Sequence, residues 1–249
     1  MPKTVLITGA SSGLGAEMAR QLAALGYDLA LCARRTERLE ELRDEILSSS
    51  AGRRIEVRAL DVTDDDAVFD VFATFASEFG TIDRVVINAG LGKGAPLGTG
   101  RYDANRETAM TNFVAALAQA EAAMQIFRAQ NAGHLVMISS MSAMRGMPKT
   151  LTTYAATKAG VAHLAEGLRM ELAGSPIKVS TIYPGYIASE MNDRLKKKPA
   201  FMVSTRDGVT AMVAAIEKEK PSARVPVWPW SVLGTVIRNA PLGIVRRLV

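Results

Sequence analysis

Tyr154 and Lys158, in the stretch TTYAATKAGV, have residue types and a spacing that suit proton transfer. Residues four positions apart share one face of a helix, so the phenol and the amine would lie one turn apart. A free phenol titrates near pH ~10, and a neighbouring ammonium favours the phenolate and lowers that pKa. The residues between them, Ala155, Ala156 and Thr157, are small and leave room for a ligand. The pattern predicts that Tyr154 is a general acid whose pKa Lys158 lowers.

The elements that would position this pair alternate short apolar runs with longer helical patterns. The strand-like runs are TVLIT, DLALCA, IEVRAL, RVVINAG, HLVMISS and KVSTIYPG, with ARVPVW as a seventh candidate. Helices are predicted from about Thr108 to Gln130, from near Thr153, and from about Arg206 to Lys218. Such alternation requires crossover connections and a parallel sheet. The fold class is therefore α/β, a single Rossmann-like doubly wound domain with a parallel sheet of six to seven strands and helices on both faces. We assign residues 1–226 to this domain and residues 227–249 to an apolar C-terminal extension.

A glycine-rich stretch, TGASSGLG, joins the first predicted strand to the first predicted helix. In such a unit Gly9 permits the sharp turn, Gly13 lets the backbone approach a pyrophosphate, and Gly15 lets the helix pack on the strand. The helix N-terminus offers unpaired amides to the phosphates. The stretch predicts a dinucleotide-binding loop whose contacting residues are Gly9, Ser11, Ser12, Gly13, Leu14 and Gly15.

Two arginines, Arg34 and Arg35, follow the second predicted strand in CARRTE. An acidic residue there would accept a hydrogen bond from the 2′-hydroxyl of the adenosine ribose and favour NAD. Two guanidinium groups can instead neutralise a 2′-phosphate. The sequence thus predicts that NADP(H) is preferred over NAD(H). The alternative is that both arginines are only surface charges at the start of a helix.

Composition narrows the classes of protein to which the chain could belong. The 249 residues suit one large domain, and the net charge of +5 suits a solvated surface. A nucleic-acid binder is not favoured, because the chain lacks aromatic platforms and a basic stripe. The single cysteine, Cys32, excludes an internal disulfide and favours a reducing compartment. With no signal-peptide pattern and no long apolar run, we expect a cytoplasmic protein. His134 and His163 lack metal-ligand spacing, so no metal is expected.

Several motifs occur in one order along the chain: TGASSGLG, NAG, a serine before TYAATK, and YPG. Together they resemble the short-chain dehydrogenase/reductase family, from Thr4 to about Lys218. The resemblance implies NAD(P) binding and interconversion of a carbonyl and a secondary alcohol. It implies the catalytic residues Asn112, Ser140, Tyr154 and Lys158. It also implies the cofactor contacts Asp61, Val62, Asn88, Ala89, Gly90, Tyr154, Lys158, Pro184, Gly185 and Ile187.

The resemblance also implies roles for these residues. Tyr154 would give its proton to the substrate oxygen, Ser140 would hydrogen-bond that oxygen, and the cofactor would supply the hydride. Lys158 would also bond the nicotinamide ribose, and Asn112 would hold a water that relays protons. Ser139 and Ser142 are the alternatives to Ser140. Ser189 stands where the family often has threonine, and it keeps the hydroxyl. The alternative function is a non-catalytic, dinucleotide-binding regulatory protein of the same fold.

The loops after the strands are rich in methionine, which adapts to apolar ligands of varied shape. They predict a hydrophobic carbonyl or alcohol substrate, although the methionines could instead pack the loops. The run Lys196–Lys198 is interpreted as solvated charge. The C-terminal extension carries Trp228, Trp230 and several arginines. It could lie peripherally on a membrane, pack on a partner subunit or cover its own substrate pocket. By resemblance, we expect a homodimer or homotetramer.

Overall fold

Seven parallel strands form the sheet of the computed structural model, which describes residues 2–50, 52–191, 199 and 201–248. Their order is β3-β2-β1-β4-β5-β6-β7. The strands are β1 (Thr4–Thr8), β2 (Asp28–Ala33), β3 (Ile55–Ala59), β4 (Arg84–Ile87), β5 (Gly133–Ile138), β6 (Ile177–Pro184) and β7 (Ser222–Val225). The predicted fold class is confirmed, including the seventh strand.

Helices cover both faces of this sheet. They are α1 (Gly13–Ala24), α2 (Thr36–Ser49), α3 (Asp65–Phe79), α4 (Tyr102–Ala109), α5 (Ala115–Gln130), α6 (Thr152–Glu171), α7 (Thr205–Glu217), α8 (Val227–Asn239) and α9 (Leu242–Leu248). Strand side chains alternate between the faces, so Val5 and Ile7 pack with α1, α2 and α7 while Leu6 packs with α3, α5 and α6. The buried apolar runs of the sequence are thus strands covered on both sides.

The strand order places a cleft between β1 and β4. From β1 the chain winds outward through β2 and β3, then returns to β4 on the other side of β1. Ligands of open α/β sheets bind at this switch point, beyond the carboxyl ends of the strands. Gly9 and Asn88 directly follow β1 and β4, so the glycine loop and the NAG motif meet at this cleft.

The helical region before β5 differs from its prediction. The helix begins at Tyr102 rather than near Thr108, and a π-helical turn over Met110–Val114 separates α4 from α5. The polar sequence of α4 hides its start, because its buried residues include Asn105 and Thr108. Asn105 accepts a hydrogen bond from the Ala95 amide (3.2 Å) and donates one to the Ala95 carbonyl (3.0 Å). A buried polar residue with such partners leaves no apolar periodicity to detect.

A buried polar network lies around His134, towards the amino ends of the strands and away from the glycine loop. The Nε of Arg84 donates to His134 Nδ1 at 3.0 Å, and His134 Nε2 lies 2.7 Å from Ser180 Oγ. Since Nδ1 accepts, the ring is neutral and Nε2–H donates to Ser180. Burial, and then the charge of Arg84, lower the pKa of His134 to about 3. Glu217 pairs with Arg84 at 2.5 Å and accepts a hydrogen bond from Tyr27.

This histidine should make stability depend on pH. The pKa of His134 is lower in the folded state than in the unfolded state. Its contribution to the free energy of unfolding is therefore complete above pH ~6.5 and is lost as the pH falls towards 3. We expect the free energy of unfolding to lose about 2 kcal/mol over two pH units below 6.5 from this group. Urea denaturation between pH 4.5 and 7.5 measures the loss. His134→Gln should flatten the profile and the exposed-site control His163→Gln should not. Equal profiles for wild type and His134→Gln would contradict the assignment.

Candidate active site

The glycine loop is packed so closely that two of its residues must be glycine. Gly9 has φ +65°, and a methyl group there would lie 2.8 Å from the Ala89 Cα. A methyl group on Gly15 would lie 2.4 Å from the Gly9 carbonyl oxygen. The side-chain Nδ2 of Asn88 donates to the Thr8 carbonyl at 3.0 Å, and the backbone N–H of Asn88 donates to Thr8 Oγ1 at 3.1 Å. The loop and the NAG motif therefore form one rigid floor.

The first turn of α1 above this floor is suited to an anion. Its N-cap residue, Ser12, makes no capping hydrogen bond, and no acidic residue lies in the first turn. By contrast, α3 is capped by Asp64 and α7 by Ser204. The amides at the start of α1 thus lack a side-chain acceptor, which is the chemistry that a pyrophosphate needs. The residues present fit the phosphates of a dinucleotide.

The two predicted arginines differ in their surroundings. Arg35 donates from Nη2 to Ser12 Oγ at 2.6 Å and from Nε to Ser11 Oγ at 3.3 Å. Arg34 is largely exposed, and its guanidinium is 4.0 Å from the Asp61 carboxylate. The structure thus places Arg35, and not Arg34, against the glycine loop.

A third arginine, Arg38, was missed by the sequence analysis. Arg35 and Arg38 both pair with Glu190, which follows β6. Their i, i+3 spacing at the start of α2 is the signal that could have found Arg38, since such residues are neighbours on a helix. Nothing in the sequence near α2 points to Glu190, which is more than 150 residues away.

Lys158 is buried, with 6% of its surface exposed. Its Nζ donates to the Ile138 carbonyl at 2.9 Å, and burial lowers its pKa to about 8. The amine is therefore mostly charged at pH 7 and loses its charge as the pH rises through 8. A methyl group on Gly90 would lie 3.4 Å from this Nζ and 3.1 Å from Asn112 Oδ1. The NAG motif, Asn112 and Lys158 thus meet around Gly90.

Asn112 lies in the π-helical turn and is almost fully buried. Its Oδ1 accepts from the Leu91 amide at 2.8 Å, and its Nδ2 donates to the Leu91 carbonyl at 2.9 Å. Single π turns are frequent at functional sites. Here the side chain of Asn112 fixes the loop that follows the NAG motif.

The three candidate serines after β5 have different partners. Ser139 is buried and donates to the Lys158 carbonyl at 2.8 Å. Ser140 is half-buried, accepts from the Ser142 amide at 3.2 Å, and lies near enough to the Tyr154 phenol to lower the pKa of that phenol. The Ser142 hydroxyl is buried and has no hydrogen-bond partner among the described residues. The structure thus pairs Ser140, and not Ser139, with the phenol.

The electrostatic prediction for Tyr154 is wrong. Burial raises the pKa of Tyr154, the hydrogen bond with Ser140 opposes that rise, and Tyr186 adds to it. Lys158 does not lower this pKa, and its Nζ hydrogen-bonds the Ile138 carbonyl. A phenolate loses more solvation on burial than a phenol, so the neutral form is favoured. In this structure Tyr154 stays protonated at neutral pH.

The remaining predicted contacts lie along the same edge of the sheet. Asp61 and Val62 follow β3, and the Asp61 carboxylate accepts from the Thr63 amide at 3.0 Å and from its hydroxyl at 2.8 Å. Pro184 ends β6, and the buried Ile187 pairs with Val203. The run Lys196–Lys198 lies outside the described residues.

The C-terminal extension packs on the loop after β6 through Trp230 of α8. This side chain is 5% exposed, and a methyl group on Gly185 would lie 2.1 Å from its Cε2. The Trp230 ring also meets Tyr186 edge-on, with centroids 5.6 Å apart. The extension therefore covers the loop that carries the predicted nicotinamide contacts.

Of the methionines in the loops after the strands, Met141 and Met147 are packed in the interior, whereas Met191 is exposed. Met141 contacts α8, where a methyl group on Gly234 would lie 2.4 Å from its Cε. Met147 belongs to a small apolar cluster with Ala155, Ile237 and Val245. For Met141 and Met147 the packing alternative holds. Met191 is exposed, and its Cγ would be 2.8 Å from a methyl group on Gly92.

The described part of the chain has neither a candidate membrane span nor a candidate metal cluster. No helix there combines the length and the apolar character needed to cross a bilayer. No group of three or more metal-ligating side chains was found there.

The doubly wound sheet, with a glycine loop at its switch point and Ser140, Tyr154 and Lys158 nearby, resembles the fold and site of dinucleotide-dependent oxidoreductases. The model of the short chain dehydrogenase family matches residues 3–200, and the chain belongs to that family. An uncharacterised oxidoreductase of Mycobacterium tuberculosis is 51% identical over 243 residues, which cover 98% of this chain and 96% of that protein.

Two solved structures share the fold. A short-chain dehydrogenase from Sphingobium yanoikuyae, in complex with NADPH, has a TM-score of 0.82 and 27% identity, covering 95% of this chain and 93% of that chain. A bulky-bulky ketone-specific alcohol dehydrogenase from Comamonas testosteroni has a TM-score of 0.80 and 26% identity. The match covers 95% of this chain and 92% of that chain. These likenesses support an oxidoreductase that uses a nicotinamide dinucleotide.

Proposed function

We propose that this protein is an NADP(H)-dependent oxidoreductase that interconverts a carbonyl and a secondary alcohol on an apolar small molecule. The observation that carries the proposal is the position of Tyr154 beside Ser140 and one turn of α6 from the buried Lys158. A protonated phenol beside a second hydroxyl can place two hydrogen bonds on one substrate oxygen. That arrangement suits carbonyl reduction.

The residues of the chain would act on the substrate oxygen and its proton. Bound nicotinamide supplies the hydride chemistry. Ser140 positions the carbonyl oxygen, and Tyr154 gives that oxygen its proton as negative charge develops there. Because burial raises the pKa of Tyr154, the phenol is in the acid form that reduction requires. Lys158, with a pKa of about 8, is close enough to neutrality to return a proton to the site.

The preference for NADP(H) rests on Arg35. Its hydrogen bonds to Ser11 and Ser12 hold the guanidinium between the glycine loop and the end of β2. An adenosine ribose reaches this position in Rossmann-type sites. A 2′-phosphate there would form an ion pair with the guanidinium in addition to hydrogen bonds, while a neutral 2′-hydroxyl would form no ion pair.

Arg35→Ala is expected to weaken NADPH binding by about 10-fold, the low end for a hydrogen bond to a charged group, because the site is partly exposed. NADH binding should change little. Fluorescence titration of both nucleotides measures the difference. Arg43→Ala on the same helix is the matched control, since it removes the same charge from an arginine that pairs with Asp44. Equal loss for NADPH and NADH would contradict the assigned role.

The substrate side is proposed to be apolar. Tyr186, Met191 and Trp230 lie near the loop after β6, and aromatic and thioether groups favour apolar ligands. The Comamonas neighbour, described as specific for bulky-bulky ketones, supports ketones as the first class to screen. Ketones and aldehydes with NADPH, and secondary alcohols with NADP, form the panel.

The assembly remains a proposal. The outer face of α8 and α9 exposes Trp228, Val232, Val236, Leu242 and Ile244. Such a surface supports contact with a second copy of the chain, in a homodimer or homotetramer, or with a membrane surface.

A further inference from the structure

A short segment after β6, Ile187–Met191, crosses the mouth of the proposed cofactor cleft. Ser189 lies over the glycine loop, where a methyl group on Gly13 would be 3.5 Å from the Ser189 Cβ. Met191 lies against Gly92 in the loop after β4. Glu190 stands between these two contacts, so its side chain faces the cleft edge formed by β1 and β2.

The Glu190 carboxylate is held by both arginines at the start of α2. Arg38 Nη1 donates to Oε1 at 2.5 Å, and Arg35 Nη2 donates to Oε2 at 3.2 Å. Both pairings lower the pKa of Glu190, and the hydrogen bond from Arg38 has the larger effect. Ser12 also contributes to the lowered pKa. One carboxylate thus engages Arg35, Arg38 and the glycine loop together, although it belongs to a distant segment.

The arrangement resembles the one that an anion on the adenosine ribose would require. A phosphate monoester carries about −1.5 to −2 charges at pH 7 and three acceptor oxygens, against one charge and two oxygens for a carboxylate. Arg35 donates to Ser12 and Glu190 from the same Nη2. Both N–H groups of this Nη2 are occupied, so an anion can bind them only by displacing Ser12 or Glu190.

We propose that Glu190 is an internal competitor for the 2′-phosphate of NADP(H), and that Arg38 is a second arginine that binds this phosphate. The inference rests on the proposed cofactor preference. When NADP(H) binds, its 2′-phosphate displaces the carboxylate from Arg35 and Arg38. NAD(H) carries only a hydroxyl there and leaves the Glu190 pairs intact. Glu190 therefore sets how strongly the protein distinguishes the two cofactors.

The test is nucleotide binding to the full chain, measured by fluorescence titration with NADPH, NADH and 2′,5′-ADP. Glu190→Gln should bind NADPH and 2′,5′-ADP about 3- to 10-fold more tightly than wild type, as expected for two exposed ion pairs. NADH affinity should change by less than about twofold, since no phosphate competes there. The gain should shrink in high salt, which screens exposed charges.

Glu41→Gln is the matched control, because it removes the same single negative charge from the same end of the cleft. Glu41 is exposed on α2 and lines a surface depression with Ser11 and Arg38. It should leave the ratio of NADPH to NADH affinity unchanged. Arg38→Ala should weaken NADPH and 2′,5′-ADP binding and reduce the effect of Glu190→Gln, so the two changes are not additive.

The outcomes separate the two proposals. A wild type that prefers NADH would overturn the cofactor preference, and this inference with it. A wild type that prefers NADPH, with Glu190→Gln unchanged or weaker, would overturn the role of Glu190 alone. Equal tightening of NADPH and NADH would do the same, because it would show a general charge effect in place of competition at the 2′-phosphate.

Discussion

Tyr154→Phe is expected to lower kcat for carbonyl reduction by about 10²- to 10⁴-fold, the usual contribution of a positioned general acid. The variant keeps the aromatic ring and removes only the hydroxyl, whose pKa the nearby Ser140 lowers. NADPH binding, measured by fluorescence titration, should weaken far less than kcat falls, because Tyr154 is only one of many implied cofactor contacts. The loss should therefore be mainly in kcat and not in cofactor affinity.

Two further variants make this result specific. Ser140→Ala should lower kcat by a smaller factor, because Tyr154 would still give its proton to a less well-held oxygen. Tyr186→Phe is the matched control: it removes a neighbouring phenol that contacts Trp230 and has no assigned proton transfer. Undiminished turnover in Tyr154→Phe would overturn the assigned acid. Binding of NADPH without turnover on the carbonyl panel, even by wild type, would instead favour the non-catalytic alternative.

The sequence predicts the fold and the location of the site at the carboxyl ends of the strands, because the sequence patterns that indicate both are local. Buried strands appear as apolar runs, and the glycine loop appears between a strand and a helix. In a doubly wound sheet, residues that follow strands necessarily share one edge. That geometry brings Gly9, Asn88 and Ser140 together without any knowledge of side-chain packing.

What the sequence does not predict depends on tertiary contacts. The pKa of Tyr154 depends on burial by surrounding elements, and its direction is opposite to that inferred from the Tyr154–Lys158 spacing. Glu190 reaches Arg38 across more than 150 residues of chain. Trp230 fills the space beside Gly185, although the two residues belong to different elements. Each interaction joins segments whose proximity no local pattern encodes.

Gly15→Ala should be the most destabilising single change in the glycine loop. Its methyl group would lie 2.4 Å from the Gly9 carbonyl oxygen and 2.7 Å from Asn88 Nδ2. The first of these is backbone in the rigid floor, which cannot yield as a flexible side chain can. We expect a loss of about 3 kcal/mol or more, at the upper end for overpacking. The melting temperature should fall by roughly 6–12 °C for a chain of this size.

Gly13→Ala is the matched comparison, because it adds the same methyl group two residues earlier, in a more open place. The nearest atom would be the Ser189 Cβ at 3.5 Å, an ordinary contact, although the φ of +54° carries its own strain. That strain costs about 1–2 kcal/mol for a residue with a Cβ. Gly13→Ala should therefore stay folded but lose NADPH affinity, since its methyl group lies where the pyrophosphate is proposed to approach.

Thermal unfolding and nucleotide titration of both variants separate the two functions of the loop. A Gly15→Ala protein as stable as the wild type would contradict the packing argument. A Gly13→Ala protein that binds NADPH normally would contradict the phosphate site. If both expectations hold, Gly15 is required because the sheet and α1 approach closely, and Gly13 because a ligand does. The same residue type would then serve folding at one position and binding at another, two residues away.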